Sequence, residues 1–313
     1  MNILIWTYDS TGLFENKKAV ERIKKNNSVV TAFGKKEFDP EGSDYVVVFP
    51  EKLAPLLSKA RARIYGSPKE YGYDMESLCR ANRGFLKVGR DKLISGETLQ
   101  KTGLDINDYI KLRRSNIDFV TETCIGGALE HVLGLRFNNP FINMRIGFFS
   151  SDYRKLLKDY GRYSSMLPKT ETDGFMNGFS KRGGFEGRTA YPVLWFDDIV
   201  LHGFHYKSAE DMLDKYSQRM KRWDPLKSIV VKIIYDEEDL DFFMDLKIER
   251  KLGFYYGTTD TENVIRIPFD ETEKKKWAYS YASYLYQLAI SGEIFKVSEL
   301  GKWLLKKIDE WSE

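Results

Sequence analysis

The chain has 313 residues, with 49 Lys and Arg against 46 Asp and Glu, a formal net charge of +3. Hydrophobic residues make up 42% and the chain carries 20 Phe, 19 Tyr and 6 Trp, which excludes a disordered polymer and gives material for a sizeable core. The charge balance supplies no basic stripe of the kind that nucleic-acid backbones require, and two cysteines, Cys79 and Cys124, make neither a disulfide framework nor a CxxC metal spacing. A reduced, cytoplasmic protein that does not bind nucleic acid is therefore expected. Met1 to Trp6 lacks a basic leader, and no run reaches the roughly 18 apolar residues that span a bilayer.

In chain order, the apolar run Asn2 to Trp6 reads as a strand, followed by a polar turn and a helix carrying Ala19, Val20 and Ile23. Val29 to Phe33 and Tyr45 to Phe49 read as further strands, Leu53 to Ala60 as a helix and Arg63 to Tyr65 as a fourth strand. Continuous apolar strands alternating with helices predict a parallel sheet, a Rossmann-like region over residues 1–103. Its first turn, Thr7 to Gly12, holds one glycine where a dinucleotide fold needs three, so a nicotinamide or flavin site is not supported. Seven glycines and prolines between Gly66 and Gly103 break the pattern and suggest a boundary there.

A second α/β domain with a mostly parallel sheet and C-terminal helices is predicted over residues 104–313. Its elements are a helix Asp105 to Arg114, a strand Ile117 to Glu122, a helix Gly126 to Leu133, a strand Phe141 to Phe149 and a helix Asp152 to Tyr163. The glycine-rich stretch Thr170 to Thr189 reads as a loop near the ligand. Next come a strand Val193 to Leu201, a helix opened by Ser208 as a capping box, and a strand Ser228 to Tyr235. A helix Asp239 to Leu246, short strands Phe254 to Tyr256 and Val264 to Ile267, and helices Trp277 to Ile290 and Glu299 to Trp311 close the chain. The last is basic and amphipathic; packing on the domain is its expected use, a peripheral membrane contact the alternative.

Three segments carry candidate chemistry. In Thr121-Glu122-Thr123-Cys124-Ile125-Gly126-Gly127 a strand ends and a helix begins. Unpaired N–H groups and the positive helix end there suit a phosphate at Gly126 and Gly127, or an activated Cys124; tight packing and a buried thiol are the plain alternative. In His202-Gly203-Phe204-His205-Tyr206, one histidine suits a general base or phosphate ligand beyond the strand end; a structural histidine bonded to backbone is the plain alternative, and the one preferred for His202. A shared metal would need a bend at Gly203, and no metal site is assigned. Asp197-Asp198 just before it is the kind of acidic pair that holds a divalent ion against a diphosphate. On the following helix, Arg219 and Arg222 suit a phosphate or carboxylate, and the spacing of Met212, Leu213, Tyr216 and Met220 sets the basic residues toward another side.

Phe119 to Gly127, Leu133 to Asn143, Asp152-Tyr153, Tyr191-Pro192, His202 to Tyr206 and Arg219, taken in that order, resemble a bacterial family of unknown function whose members are labelled exopolysaccharide-biosynthesis proteins. The resemblance covers about residues 117–256. Two departures are visible: Glu122-Thr123 stands where the family has Asn-Asn, and Asn139 where it has Ser before proline. The resemblance implies a polysaccharide-biosynthesis setting and an α/β fold. With the residues above, it leads to the expectation of a transferase using a nucleotide sugar, with a divalent metal as the cofactor to test. In that reading Gly126, Gly127, Arg219, Arg222 and Tyr206 bind substrate and His205 is the base. A Cys-His enzyme built on Cys124 with His205 or His202, acting on an acyl or other glycan group, and a non-catalytic assembly protein are the alternatives.

Overall fold

The computed structural model describes residues 1–8, 13, 14, 16–34, 36–49, 75–147, 150–175, 190–255, 257, 259–267 and 297–311. The chain divides into two compact units, Met1–Asn116 with His131–Arg136 and Phe295–Glu313, and Ile117–Glu130 with Phe137–Ile294.

The first unit opens with β1 (Asn2–Thr7), α1 (Lys17–Lys24), β2 (Ser28–Phe33) and β3 (Tyr45–Phe49). After α2 (Met75–Ala81) come β4 (Leu93–Ser95), α3 (Gly96–Thr102) and α4 (Ile106–Arg114). The strands form one parallel sheet in the order β2-β1-β3-β4. All of β3 and Ile3 to Thr7 of β1 are buried, because a central parallel strand is covered on both faces. The helices begin and end on local signals: Ser95 accepts a hydrogen bond from the Thr98 amide and Asp105 from those of Asn107 and Asp108, while Gly103 ends α3 at φ +62°. The expected helix Leu53 to Ala60 and strand Arg63 to Tyr65 lie outside the described residues.

In the second unit β5 (Asp118–Thr121) leads into α5 (Ile125–Leu133), and β6 (Arg145–Ile146) into α6 (Ser150–Lys158) and α7 (Tyr160–Ser165). Then come β7 (Lys169–Phe175), β8 (Ala190–Phe196), β9 (Ile199–His202), α8 (Ala209–Met220), β10 (Ser228–Ile234), α9 (Glu237–Asp245), β11 (Lys251–Tyr255) and β12 (Val264–Arg266). The last helix, α10 (Val297–Glu310), belongs to the first unit, where it packs on α3 and α4. A parallel sheet runs β12-β11-β10-β5, and an antiparallel sheet runs β6-β9-β8-β7. The core lies where Tyr153, Leu194, Leu201, Tyr216, Val120 and Val230 meet. The Tyr153 hydroxyl, 2.8 Å from the carbonyls of both Val120 and Val231, ties α6 to the parallel sheet. Among the described residues no helix is long and apolar enough to cross a membrane.

The chain is thus α/β with parallel sheets and a C-terminal helix, as expected, and the antiparallel sheet is an addition. Four local expectations change. Val193 to Leu201 is a hairpin rather than one strand, because Asp197 at φ +51° turns the chain at Asp197-Asp198. Of the expected strand Phe141 to Phe149, Phe141 to Asn143 is turn and only Arg145-Ile146 is strand, since Asn143 at φ +59° leaves the extended region; Phe148 and Phe149 lie outside the described residues. Asp152 to Tyr163 is two helices meeting at Asp159. The glycine-rich stretch is not all loop: residues 170–175 are strand, paired antiparallel in β7 with β8, while residues 176–189 and the expected helix Trp277 to Ile290 lie outside the described residues.

Candidate functional site

Parallel α/β sheets place ligands beyond the carboxyl ends of their strands, where loops and helix N-termini converge. In the second unit β5 ends there in Glu122, Thr123 and Cys124, and β10 in Tyr235. The start of α5 is closed by its own turn: the Gly126 amide donates to Thr121 Oγ1 at 3.2 Å and the Ile125 amide to Thr123 Oγ1 at 3.4 Å. A Cβ on Gly126 would stand 2.7 Å from the Phe119 carbonyl oxygen, and one on Gly127 would collide with Asn143 Oδ1. The glycines therefore let α5 lie close on β5 and on the Asn143 turn, and the Gly126 amide that would meet a phosphate is held by Thr121.

Beneath this turn lies a network of buried charges. Lys232, wholly buried in β10, places Nζ 3.1 Å from Asp239 Oδ1 and 3.8 Å from Glu122 Oε2. The Tyr235 hydroxyl donates to Glu122 Oε1 at 3.0 Å. Arg154 donates to Asp239 Oδ1 at 2.8 Å and to Glu238 Oε1 at 2.7 Å. Burial pushes the Glu122 carboxyl above its ordinary range, against the pull of Lys232 and the Tyr235 bond. For Asp239 the balance falls the other way: burial opposes ionisation, but Lys232 and Arg154 outweigh it and hold the group low.

Above the network stands Arg145, whose Cα pairs with that of His202 across the antiparallel ladder and whose Nε donates to the Gly147 carbonyl at 3.2 Å. Its charge is felt by Glu122, Cys124, Tyr191, His202 and Tyr235, so it lies within electrostatic reach of all five. Burial, with Arg145 adding to it, pushes His202 down to about 3, so its imidazole stays neutral. Burial pushes the Cys124 thiol up to about 12, against the opposing pull of Arg145. Thr123, Cys124, Asn143, Arg145 and Tyr235 are half-buried residues, with the Tyr235 hydroxyl held by Glu122 and Thr123 Oγ1 by the Ile125 amide. The Tyr191 hydroxyl is buried and takes no hydrogen-bond partner among the described residues.

Cys124 and His202 thus both lie within reach of the Arg145 charge, and the other sequence candidates have different surroundings. Arg219 is buried, because Met212, Tyr216 and Arg219 fall on one helical stripe, and the expectation of a separate basic side fails for it. Its Nη1 donates to the Tyr206 hydroxyl at 2.8 Å, and that hydroxyl donates to the Ile142 carbonyl at 2.6 Å. Arg222 is exposed and donates to the Phe137 carbonyl at 2.8 Å. His205 is exposed beyond β9. Asp197 and Asp198 sit in the hairpin turn, Asp197 bridged to Arg162 at 2.5 Å and Asp198 to Lys155 at 3.2 Å, with Tyr163 donating to Asp198 at 2.6 Å. Among the described residues no cluster of three or more His, Cys, Asp or Glu side chains could hold a metal ion.

Sequence reasoning passed over Arg145, Lys232, Tyr235 and Asp239. One signal was present: Lys232 interrupts the otherwise apolar run Ile229 to Ile234, and a lysine in a strand covered on both faces needs a buried partner. Arg145 stands in Phe141 to Phe149, a run read as one strand, where an arginine reads as an ordinary surface residue.

The second unit thus defines an α/β protein with a parallel sheet and a cluster of polar and charged side chains beyond its strand ends. The chain belongs to the family described as Domain of unknown function (DUF1919), whose model matches residues 95–286 and so includes the whole cluster. It is similar to an uncharacterised protein of Haemophilus influenzae, 21% identical over 222 residues that make up 70% of this chain and 87% of that protein.

Proposed function

We propose that this protein is a transferase of bacterial exopolysaccharide assembly that takes a nucleotide-activated sugar, with Arg145 holding the diphosphate. One observation carries the reading: a half-buried arginine beyond the carboxyl ends of a parallel sheet, its charge within reach of Cys124 and Tyr235. A guanidinium fork suits phosphate oxygens. Arg145 takes the part in binding that sequence reasoning gave to Arg219, which is bound to Tyr206. His205 is the candidate base on the acceptor hydroxyl, since solvent reaches it, whereas His202 is held neutral by burial. The rival built on Cys124 as nucleophile loses ground, because a thiol pushed up to about 12 carries almost no thiolate at neutral pH.

Thermal unfolding with UDP-glucose, UDP-galactose, GDP-mannose and acetyl-CoA, each with and without Mg²⁺ or Mn²⁺, tests this. A ligand present at about 100 times its dissociation constant adds roughly 2.7 kcal/mol, a shift of a few degrees in a chain of this size. The expected result is a shift with one nucleotide sugar that Arg145→Ala abolishes and Arg145→Lys restores in part. A shift with acetyl-CoA alone, or one indifferent to Arg145, would overturn it, and silence across the panel would favour a non-catalytic assembly protein.

A further inference from the structure

At the opposite end of β5 from Arg145, two acids that the proposed reaction does not use are buried together. Asp118 opens β5 and is 1% exposed; Glu130, on α5, is 0% exposed. Glu130 Oε1 accepts from the Phe119 amide at 3.0 Å and from Asn139 Nδ2 at 3.3 Å, which sets the carboxyl against the backbone next to Asp118. Its other oxygen, Oε2, is buried without a hydrogen-bond partner among the described residues. Asp118 Oδ1 accepts from Ser228 Oγ at 2.5 Å, and that oxygen accepts from Trp223 Nε1 at 2.7 Å.

The ionisable groups around the pair are few. Arg219 on α8 is the cation that acts on Glu130, and Asp118 acts on it as a like charge. Asp224, after α8, acts on Asp118 as a further negative charge, and Tyr160 on α7 feels both aspartates. Burial holds both carboxyls above the ordinary range, Asp118 at about 7 and Glu130 well above the usual value. Removing the last proton places two like charges inside the unit, where their repulsion is little screened.

We infer that Asp118 and Glu130 form a proton-controlled clamp between β5 and α5: protonated, it holds the helix on the strand, and fully ionised, it loosens the Glu122–Cys124 turn that joins them. The connection is covalent and short, since β5 ends at Thr121 and α5 starts at Ile125. The half-buried Thr123 and Cys124 lie in that turn, so the clamp would set the readiness of the Arg145 site with pH. It does not depend on which ligand the site takes.

Hydrogen exchange between pH 5 and 8, corrected for the intrinsic pH dependence of amide exchange, tests this on the full chain without ligand. Amides of residues 119–130 should lose protection by at least about tenfold per pH unit between pH 5 and 7, one released proton accounting for tenfold. They should fall below the protection of β11 in the same unit. Glu130→Gln and Asp118→Asn should each flatten the dependence, with folding checked by circular dichroism. Flat protection in the native chain would overturn the clamp, and so would a loss that β11 matches step for step, or a dependence that survives in a folded variant. The native-chain comparison decides alone if neither variant folds.

Discussion

Lys232 and Asp239 face each other with Nζ 3.1 Å from Oδ1, the lysine wholly buried in β10 and the aspartate in the first turn of α9. The pair joins strand to helix, and Glu122 and Arg154 join it in turn to the site and to α6. Lys232→Met would leave Asp239 and Glu122 buried with their main cation gone. Breaking a buried pair costs about 3–5 kcal/mol, so a urea midpoint far below that of the native chain is expected. Glu238→Ala removes only the exposed arm of the Arg154 contact and should cost less than about 1 kcal/mol. Equal effects of the two changes would show the network to be dispensable.

Gly126 gives a prediction of opposite sign to the usual rule. In an open helix position Gly→Ala gains up to about 1 kcal/mol. Here the added methyl would lie 2.7 Å from the Phe119 carbonyl oxygen, a backbone atom that cannot swing aside. Gly126→Ala is expected to destabilise by about 1–3 kcal/mol in chemical unfolding. A gain would show that α5 has room over β5, and would return Gly126 to the list of groups open to a phosphate.

The strands were legible because parallel strands covered on both faces are written as unbroken apolar runs: Tyr45 to Phe49 was read with the bounds it has in β3. Ser208 marked a helix start by capping, a local interaction that the sequence records directly. The hairpin between β8 and β9 was missed because Asp197-Asp198 lacks the glycine that usually marks such a turn, and Asp197 itself takes the positive φ. Arg219 was misplaced because a single arginine on an apolar stripe reads as the edge of a basic face, and only the fold supplies Tyr206 and the Ile142 carbonyl as its partners. Arg145 was invisible for a related reason: its importance comes from what β5, β8, β9 and β10 bring within reach of its charge, and none of that is local.

Cys124 should be a sluggish thiol. With its pKa pushed up to about 12, against about 8.5 for an ordinary cysteine, its thiolate fraction near pH 7.5 is lower by roughly a thousandfold. Iodoacetamide should therefore modify Cys124 far more slowly than it modifies glutathione, with a rate that still climbs at pH 9. Arg145→Ala removes the charge that favours the thiolate and should slow the reaction further. Mass spectrometry of the Cys124 peptide measures both. A rate near that of glutathione at pH 7.5 would restore the cysteine enzyme as the leading reading.

Asp118 sets how stability follows pH. Its folded pKa of about 7 lies above the ordinary carboxylate value near 4, because burial disfavours its charge. The contribution it makes is therefore fully present below about pH 4 and is lost as pH climbs through about 7, when the folded chain must give up a proton that the unfolded chain has already released. The slope from one such group is about 1.4 kcal/mol per pH unit within that window, and Glu130, raised in the same direction, extends the loss to higher pH. Asp118→Asn keeps an oxygen for the Ser228 hydroxyl and carries no charge to bury, so its urea stability should fall less than that of the native chain between pH 5 and 8. Curves for the two proteins that stay parallel across this window would show that Asp118 is ionised in the folded chain throughout, its charge met by Ser228 and Trp223 rather than by a proton.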